Sequence, residues 1–339
     1  MPNLELNQSL IKDLQNKHYG IAGKHSAVQI CEWTKKSLRN QGECYKHWFY
    51  GIETFNCCQV SPNVMWCDQN CIFCWRPQEN MQKKLIKEKV DSPKKIIEDL
   101  IKAHYKLLSG FKGYPNINKK KLEASLNEIP SHWAISLSGE PTLYPKLPEF
   151  IKTLQKKGVK SIFLVSNGQN PTKIKDLHRK KALPTQLYIS LDAWNEHSYR
   201  KINKGIHRNA FKRLLSTIKV LNNLACRTVI RLTVIKGLND NKKTIKEFGK
   251  LIEFGQPDFL EIKAYMWLGY SRKRLKQENM PSHDEIKKFA RALEKYLPSM
   301  KYEDENIPSR ILLYKNNAKN RKKKIPNRYI IPKKDWRFV

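Results

Sequence analysis

The sequence predicts an α/β fold built as a partial, TIM-like (β/α)6 barrel, and three observations carry that reading. Six short apolar runs are each followed by a stretch with helical spacing. Several of the runs are apolar on both faces, as buried parallel strands are. The distinctive polar groups (a cysteine-rich loop, Glu140, Asn167 and Asp192) all fall where a run ends. Repeated βα units give a parallel sheet, either barrel-like or doubly wound. Chemistry gathered at the C-terminal ends of separate strands favours the barrel.

Residues 1–60 read as a compact leader with aromatic and cysteine landmarks. A first strand is expected at 64–67, running into the cysteine loop. Ser92-Pro93 supplies an N-cap and N1 pair for a helix over 92–108. Residues 110–130 are polar and Lys-rich and read as an exposed insertion. A strand at 133–137 ends at Ser138-Gly139-Glu140-Pro141. A helix at 147–157 is stopped by Gly158, and a strand at 161–165 ends at Ser166-Asn167-Gly168. A helix follows at 172–181, then a strand at 187–191 that ends at Asp192 and contains Ser190. Helices at 211–224 and 244–254 flank a strand at 228–235. A strand at 259–264 and a helix at 283–297 complete the alternation, and 311–314 adds a strand. The expected organisation is a leader (1–60), a core (61–300) and a basic C-terminal segment (301–339).

The chain has 339 residues with 40% apolar content, enough to bury a core. Its 65 Lys and Arg against 31 Asp and Glu give a net charge of +34. That predicts an acidic polymer, nucleic acid, as partner. A generally Lys-rich composition would also raise the charge, but the charge is unevenly placed. Residues 315–339 carry ten Lys and Arg and one acid, Asp335, with Tyr329, Trp336 and Phe338 interleaved. Basic side chains suit phosphates and aromatics suit unstacked bases; a solvated basic tail is the other reading. No apolar stretch approaches the ~20 residues of a membrane span, and the N-terminus lacks an apolar signal core. A cytoplasmic protein, not a membrane protein, is expected, and as a monomer. Seven of the eight cysteines lie between Cys31 and Cys74. In a reducing compartment such clustering reads as metal ligation.

Cys67, Cys71 and Cys74 form a C-x3-C-x2-C run. Three thiolates on one short loop can hold a [4Fe–4S] cluster by three irons, leaving the fourth open for a small molecule. Structural zinc normally closes its shell with a fourth protein ligand, and none stands at the expected short spacing. Cys31, Cys44 and Cys57 are spaced by thirteen and thirteen. On spacing alone a second cluster and a zinc site with a distant fourth ligand are equal readings, and adjacent Cys58 is chemically interchangeable with Cys57. Cys226 precedes an apolar strand and reads as structural.

The cysteine loop followed by Ser138-Gly139-Glu140-Pro141 resembles the radical S-adenosylmethionine enzymes over residues 60–300. The leader narrows the resemblance. Cys31-Glu32-Trp33-Thr34, Cys44-Tyr45-Lys46, Phe49-Tyr50-Gly51-Ile52, Cys57 with Pro62, Trp66-Cys67 and Cys74-Trp75-Arg76 are similar to the tRNA 4-demethylwyosine synthase family. So are Glu261-Ile262-Lys263-Ala264-Tyr265-Met266, Gly269-Tyr270-Ser271 and Asn279-Met280-Pro281-Ser282-His283. The similarity is to the short archaeal form, without a fused flavodoxin domain.

The resemblance implies a carbon–carbon lyase that condenses pyruvate with N1-methylguanosine at position 37 of tRNA-Phe, on a partial barrel with two [4Fe–4S] clusters. It implies Cys67, Cys71 and Cys74 as ligands of the first cluster, whose open iron chelates S-adenosylmethionine. It implies Cys31, Cys44 and Cys57 as ligands of the second, Cys57 being chosen for its step to Pro62. Lys46 is implied as the Schiff-base lysine that captures pyruvate, which requires a depressed pKa. Ser138, Gly139 and Glu140 are expected to meet the methionine amine, and Asn167, Ser190 and Asp192 the carboxylate or ribose of the same cofactor. Turn and cap roles are the plain alternative for these. Lys263, Tyr265 and Tyr270 are expected near pyruvate or the modified base. Arg76 is read equally as a cofactor or phosphate contact and as a salt bridge. An external electron donor of flavodoxin or ferredoxin type is implied. The rivals are a methylthiotransferase-like two-cluster enzyme and a non-catalytic, zinc-stapled RNA-binding protein; iron content separates the last from the others.

Overall fold

Six parallel strands form the centre of one ten-stranded sheet ordered β1-β2-β3-β4-β5-β6-β7-β8-β10-β9 in a computed structural model that describes residues 6, 8–81, 89–319 and 323–338. In chain order the elements begin with α1 (Gln8–Asn16), β1 (Tyr19–Ala22), β2 (Ser26–Gln29), α2 (Glu32–Leu38), α3 (Tyr45–Tyr50) and β3 (Cys57–Ser61). There follow α4 (Pro93–Ser109), α5 (Lys119–Asn127), β4 (His132–Ile135), α6 (Leu147–Lys156), β5 (Ser161–Ser166), α7 (Pro171–Arg179) and β6 (Gln186–Ser190). Then come α8 (Glu196–Ile202), α9 (Ala210–Ile218), β7 (Arg227–Val234), α10 (Lys242–Gly255), β8 (Phe259–Ala264), α11 (His283–Glu294), β9 (Met300–Asn306) and β10 (Ile311–Asn316). β3 to β8 pair in parallel, while β1, β2, β9 and β10 add antiparallel edges. The sheet does not close, so the barrel is partial, as expected. Among the described residues no helix is long and apolar enough to cross a membrane.

Period-two alternation sorts the strand residues into two cores. Ile162, Leu164, Leu187, Ile189, Ile230, Leu232, Leu260 and Ile262 pack under the helices. Phe163, Tyr188, Val229, Phe259, Ile311 and Leu313 face the concave side. That side is filled by α3, whose Tyr45, Phe49 and Tyr50 join the inner cluster.

Three expectations are corrected. The first strand is β3 at Cys57–Ser61; residues 62–65 are a turn that carries the chain toward the cysteine loop. The run at 64–67 read as a strand because Val64, Met65 and Trp66 are all buried. The 110–130 insertion contains α5, whose N-cap Asn118 side chain accepts from the Lys121 N–H at 3.0 Å. The segment limits at 60 and 300 fall inside β3 and at the start of β9, so leader, core and C-terminal segment share one sheet.

The basic tail is docked, not solvated. Residues 320–322 of its basic run lie outside the described residues. The Ile330 N–H donates to Tyr50 O at 2.7 Å, and Arg328 donates to Phe49 O at 3.1 Å and Trp48 O at 3.0 Å. The tail thereby satisfies the last carbonyls of α3, groups that no helix can satisfy internally. Lys323 Nζ donates to Asp258 at 2.7 Å. Arg337 grips buried Glu53 and also Glu128, at 2.8 Å. Burial pushes the Glu53 carboxyl up, but Arg337 and Lys160 outweigh it and hold it below its ordinary 4.5.

Arg337→Ala should therefore destabilise the fold by about 1–2 kcal/mol, discounted because Arg337 is partly exposed and Lys160 remains. The depressed Glu53 pKa makes this stabilisation present above the unfolded carboxyl pKa and lost as pH falls through the folded one. The stability gap between wild type and variant, from urea unfolding, should hold at neutral pH and shrink below about pH 4.

Candidate active site

The cysteine loop leaves β3 at its C-terminal end and is tied down from two sides. On one side Asn70 N–H donates to Asn203 O at 3.1 Å, Ile72 N–H to Ile202 O at 2.9 Å, and Ile206 N–H to Asp68 O at 3.0 Å. On the other, Arg274 donates to the Ile72 and Cys74 carbonyls and pairs with Glu79, and Tyr270 N–H donates to Trp75 O at 3.1 Å. Cys71 donates to Gln69 Oε1 at 3.0 Å, and Asn203 stands 3.8 Å from its sulfur while donating to Asp192 at 3.2 Å. Burial raises the Cys67 and Cys71 thiol pKa values above their ordinary 9.0. Thiols so buried are poor free nucleophiles and ionise on binding a metal cation.

The strand-end residues form one hydrogen-bonded rim. Glu140, buried at the end of the β4 turn, accepts through Oε1 from the Thr142 N–H (3.0 Å), Thr142 Oγ1 (2.6 Å) and Ser166 Oγ (2.8 Å). Its Oε2 accepts from the Asn167 N–H at 2.8 Å. Burial lifts its carboxyl to about 7. Asn167 Nδ2 in turn donates to Asp68 Oδ1 at 2.7 Å, linking β5 to the cysteine loop. The Glu140 carboxylate thus braces strand ends through Oε1, while Oε2 accepts only the Asn167 N–H among the described residues. Asp192 accepts from Asn203 and from the Thr233 N–H, and burial lifts it to about 6. Ser190 closes β6, in register with Arg231.

Gly139 has a physical reason of its own. Its φ is +73°, and a Cβ there would lie 2.4 Å from Asn63 O and 2.6 Å from Trp66 O. Close approach is to the turn that launches the cysteine loop, not only to a ligand.

The second set of thiols converges from the leader. Cys31 and Cys44 are the N-cap residues of α2 and α3, and Cys57 opens β3. The pleat separates Cys57 from Cys58: Cys57 packs with Cys44 on the concave side, whereas Cys58 is fully buried in the helix-side core. Burial raises Cys44 and Cys57 to about 12; Cys31 adds to the rise at both, and Cys44 adds to it at Cys57. Among the described residues no three His, Cys, Asp or Glu side chains form a single-ion site.

Lys46 lies on α3 with its side chain inside the barrel, only 8% exposed. Nζ sits 4.4 Å from the Phe163 ring centroid and 5.4 Å from that of Tyr188. Burial, then Arg231, lowers it from the ordinary 10.5. Beneath it is a network that sequence reasoning missed. Glu261 accepts from Tyr50 (2.7 Å), Tyr188 (3.1 Å) and Arg231 (2.8 Å), and Arg231 also donates to Tyr45 at 2.6 Å. Only the Glu261 segment carried a signal, and Arg231 gave none. Lys263 shares this pocket: burial, then Arg231, lowers it to about 8, and Nζ donates to Ser309 O at 2.7 Å.

Tyr265 and Tyr270 are placed differently from expectation. Tyr265 is 2% exposed, packs with Ile202 and Ile235 against Ile72 and Phe73, and donates to Ser271 at 2.9 Å. Tyr270 receives a hydrogen bond from Lys17 at 2.5 Å. Both support the cysteine loop.

Three thiols on a loop after the first of six parallel strands, with a Gly-Glu rim on the next, define a radical S-adenosylmethionine enzyme. Residues 64–249 match the model of the Radical SAM superfamily, and residues 254–316 that of Wyosine base formation. The chain belongs to the tRNA 4-demethylwyosine synthase family. It is 43% identical over 311 residues to the S-adenosyl-L-methionine-dependent tRNA 4-demethylwyosine synthase of Pyrococcus horikoshii, covering 92% of this chain and 90% of that one. It is 42% identical over 320 residues to that of Methanocaldococcus jannaschii, covering 93% and 97%. Among solved structures, TYW1 with a lysine–pyruvate adduct bound superposes with a TM-score of 0.81 at 40% identity, over 92% of this chain and 96% of that one. An archaeal TYW1 crystal structure superposes with a TM-score of 0.74 at 36% identity, over the same shares.

The residues fit S-adenosylmethionine and an iron–sulfur cluster: Ser138 Oγ, Asn63 Oδ1 and Asn203 Oδ1, all buried around the rim and loop, have no hydrogen-bond partner among the described residues. Gly139→Ala should displace the 63–66 turn. We expect iron per chain to fall severalfold by colorimetric assay, with about 1–3 kcal/mol lost in stability; full iron content would refute this role for Gly139.

Proposed function

We propose that this chain condenses pyruvate with the N1-methyl carbon of a guanosine at position 37 of tRNA-Phe, closing the third ring of 4-demethylwyosine. The observation that carries the reading is Lys46. A buried amine with a lowered pKa stands beside Cys44 and Cys57, and a relative with the same fold is described with a lysine–pyruvate adduct bound. Bound at Cys67, Cys71 and Cys74, the cluster and S-adenosylmethionine supply hydrogen-abstracting radical chemistry. Cys31, Cys44 and Cys57 would hold a second [4Fe–4S] cluster against pyruvate.

The chain's own groups do the rest. Lys46 attacks the keto carbon of pyruvate with its lone pair, and water leaves as the imine forms. The aromatic floor of Phe163 and Tyr188 excludes water from that imine. Having lost one hydrogen, the N1-methyl carbon would bond to pyruvate C2; the C1–C2 bond would then break, C1 leaving as carbon dioxide and giving back the one electron that began the reaction, and the exocyclic amine of the base would displace Lys46 as the ring closes. Ser138, Asn167, Ser190 and Asp192 line the rim toward S-adenosylmethionine, with Glu140 holding Asn167, and Asn203 and Thr233 holding Asp192. Electrons come from a separate flavodoxin- or ferredoxin-like donor to a monomeric cytoplasmic enzyme.

The RNA reading is supported by a cleft of about 330 Å³ beside the site, lined by Trp48, Tyr329, Lys333 and Trp336. Trp48 is 42% exposed and lies two residues after Lys46. The opposite wall, Asn306–Pro308, adjoins Ser309, which accepts from Lys263. Flat rings beside Lys333 suit stacking of an unpaired base, while Asp304 and Glu305 in the same lining disfavour a phosphate there.

Borohydride trapping with pyruvate should add a reduced adduct to the wild-type chain and none to Lys46→Ala, read by intact mass. The lowered pKa makes the free amine available below the ordinary lysine range, so trapping should persist toward neutral pH. An adduct of equal yield in Lys46→Ala removes Lys46 from the reaction. Separately, Trp48→Ala should weaken binding of an N1-methylated anticodon stem-loop about tenfold, within the stacking range of ~1–3 kcal/mol, and Trp48→Phe should restore most of it. Unchanged affinity in Trp48→Ala would show that the cleft takes no base.

A further inference from the structure

Arg76 is a buried cation with no anion. It is 6% exposed, and among the described residues it makes no ion pair. Its Nη1 donates to Tyr19 Oη and to Gln29 Oε1, at 3.2 Å for the latter, so the β1–β2 hairpin holds one edge of the guanidinium. Its face stacks on Trp75, 3.6 Å from the ring centroid. Nε and Nη2, the edge with two parallel N–H groups, are buried and have no partner among the described residues. An uncompensated buried charge costs several kcal/mol, and a buried donor pair left unmade costs more. A neutral side chain would stack on Trp75 without either cost.

The neighbours identify the missing anion. The thiols whose charge Arg76 feels are Cys74 and Cys31, one from each triad. Gln29, which anchors it, lies two residues before Cys31; Arg76 itself lies two residues after Cys74. The guanidinium therefore ties the end of the first cysteine loop to the start of the second thiol set. Thiolates gathered by a cluster form an anionic sulfur shell, and hydrogen bonds and charge at that shell set the reduction potential.

We propose that Arg76 is a positioning residue that serves as the shared counter-cation of the two clusters, stabilising the extra electron each takes on reduction. The proposal rests on the two-cluster reading above. A fixed positive charge favours the reduced state, so its removal makes reduction harder. Midpoint potentials should be measured by EPR-monitored titration of the loaded full-length enzyme. Arg76→Gln should shift both potentials to more negative values, while Arg76→Lys, which keeps the charge, should retain most of the wild-type value.

If Arg76→Gln loses iron while Arg76→Lys keeps it, a charge requirement is again supported. Loss of iron in both variants, or unchanged potentials in Arg76→Gln, overturns the proposal. So does a raised KM for pyruvate or S-adenosylmethionine with potentials intact, since Arg76 would then be a carboxylate fork. Iron and sulfide per wild-type chain test the two-cluster reading independently. A wild type with one cluster would refute that reading, while the shift of that cluster in Arg76→Gln would still test the counter-cation.

Discussion

The site depends on a six-residue helix held inside an open barrel. α3 is too short to be stable alone, because nucleating a helix costs more than one turn returns. Its stability comes from position. Tyr45, Phe49 and Tyr50 fill the concave core against Phe163, Tyr188, Val229 and Phe259. The tail closes its C-terminal carbonyls through Arg328 and Ile330. The Tyr45 hydroxyl accepts from Arg231, itself fixed by Glu261 on β8. Because α3 cannot shift without breaking these contacts, Cys44 at its cap and Lys46 in its first turn are held in place. The basic tail, composed like a nucleic-acid arm, supports the helix that carries Lys46 and is capped by Cys44.

The rim follows similar logic with one carboxylate. Glu140 joins the end of β4 to Ser166 and Asn167 at the end of β5, and Asn167 passes the link to Asp68. Asp68 reaches on to His207, 3.2 Å away. A displacement of the β4 or β5 end is therefore passed to Asp68, the neighbour of Cys67. Burying such a carboxylate is costly unless donors surround it, and four hydrogen bonds do so here.

Local patterns made much of this legible. The C-x3-C-x2-C loop, Gly139-Glu140 and the alternating β and α runs are readable because their spacing is their structure. The exceptions are non-local. Val64–Trp66 is as apolar as a strand, yet it turns, because Asn63 and Trp66 must meet Gly139 and Glu140 across the sheet. Cys57 and Cys58 could not be separated by composition; only the pleat, fixed by pairing with β4, sends one thiol inward. Arg231 looks like any basic residue in a strand until β7 and β8 are set side by side, in register with Glu261. Tyr265 and Tyr270, conspicuous in the sequence, turn out to brace the loop.

The Arg231–Glu261 pair also shapes the surroundings of two buried amines, Lys46 and Lys263. Lys46 and Lys263 both lie near Arg231, and burial and that charge lower both. Their surroundings then separate them. Lys263 Nζ donates to the Ser309 carbonyl, an acceptor that rewards the protonated form and fixes its direction. Among the described residues Lys46 Nζ has no hydrogen-bond acceptor and faces aromatic rings instead. With Glu261 committed to Arg231, Tyr50 and Tyr188, no carboxylate is left to keep Lys46 charged by contact. Of the two, Lys263 is lowered further, to about 8, but its Nζ is committed to the Ser309 carbonyl, whereas Lys46 Nζ is held by no such bond among the described residues and stays open to a substrate.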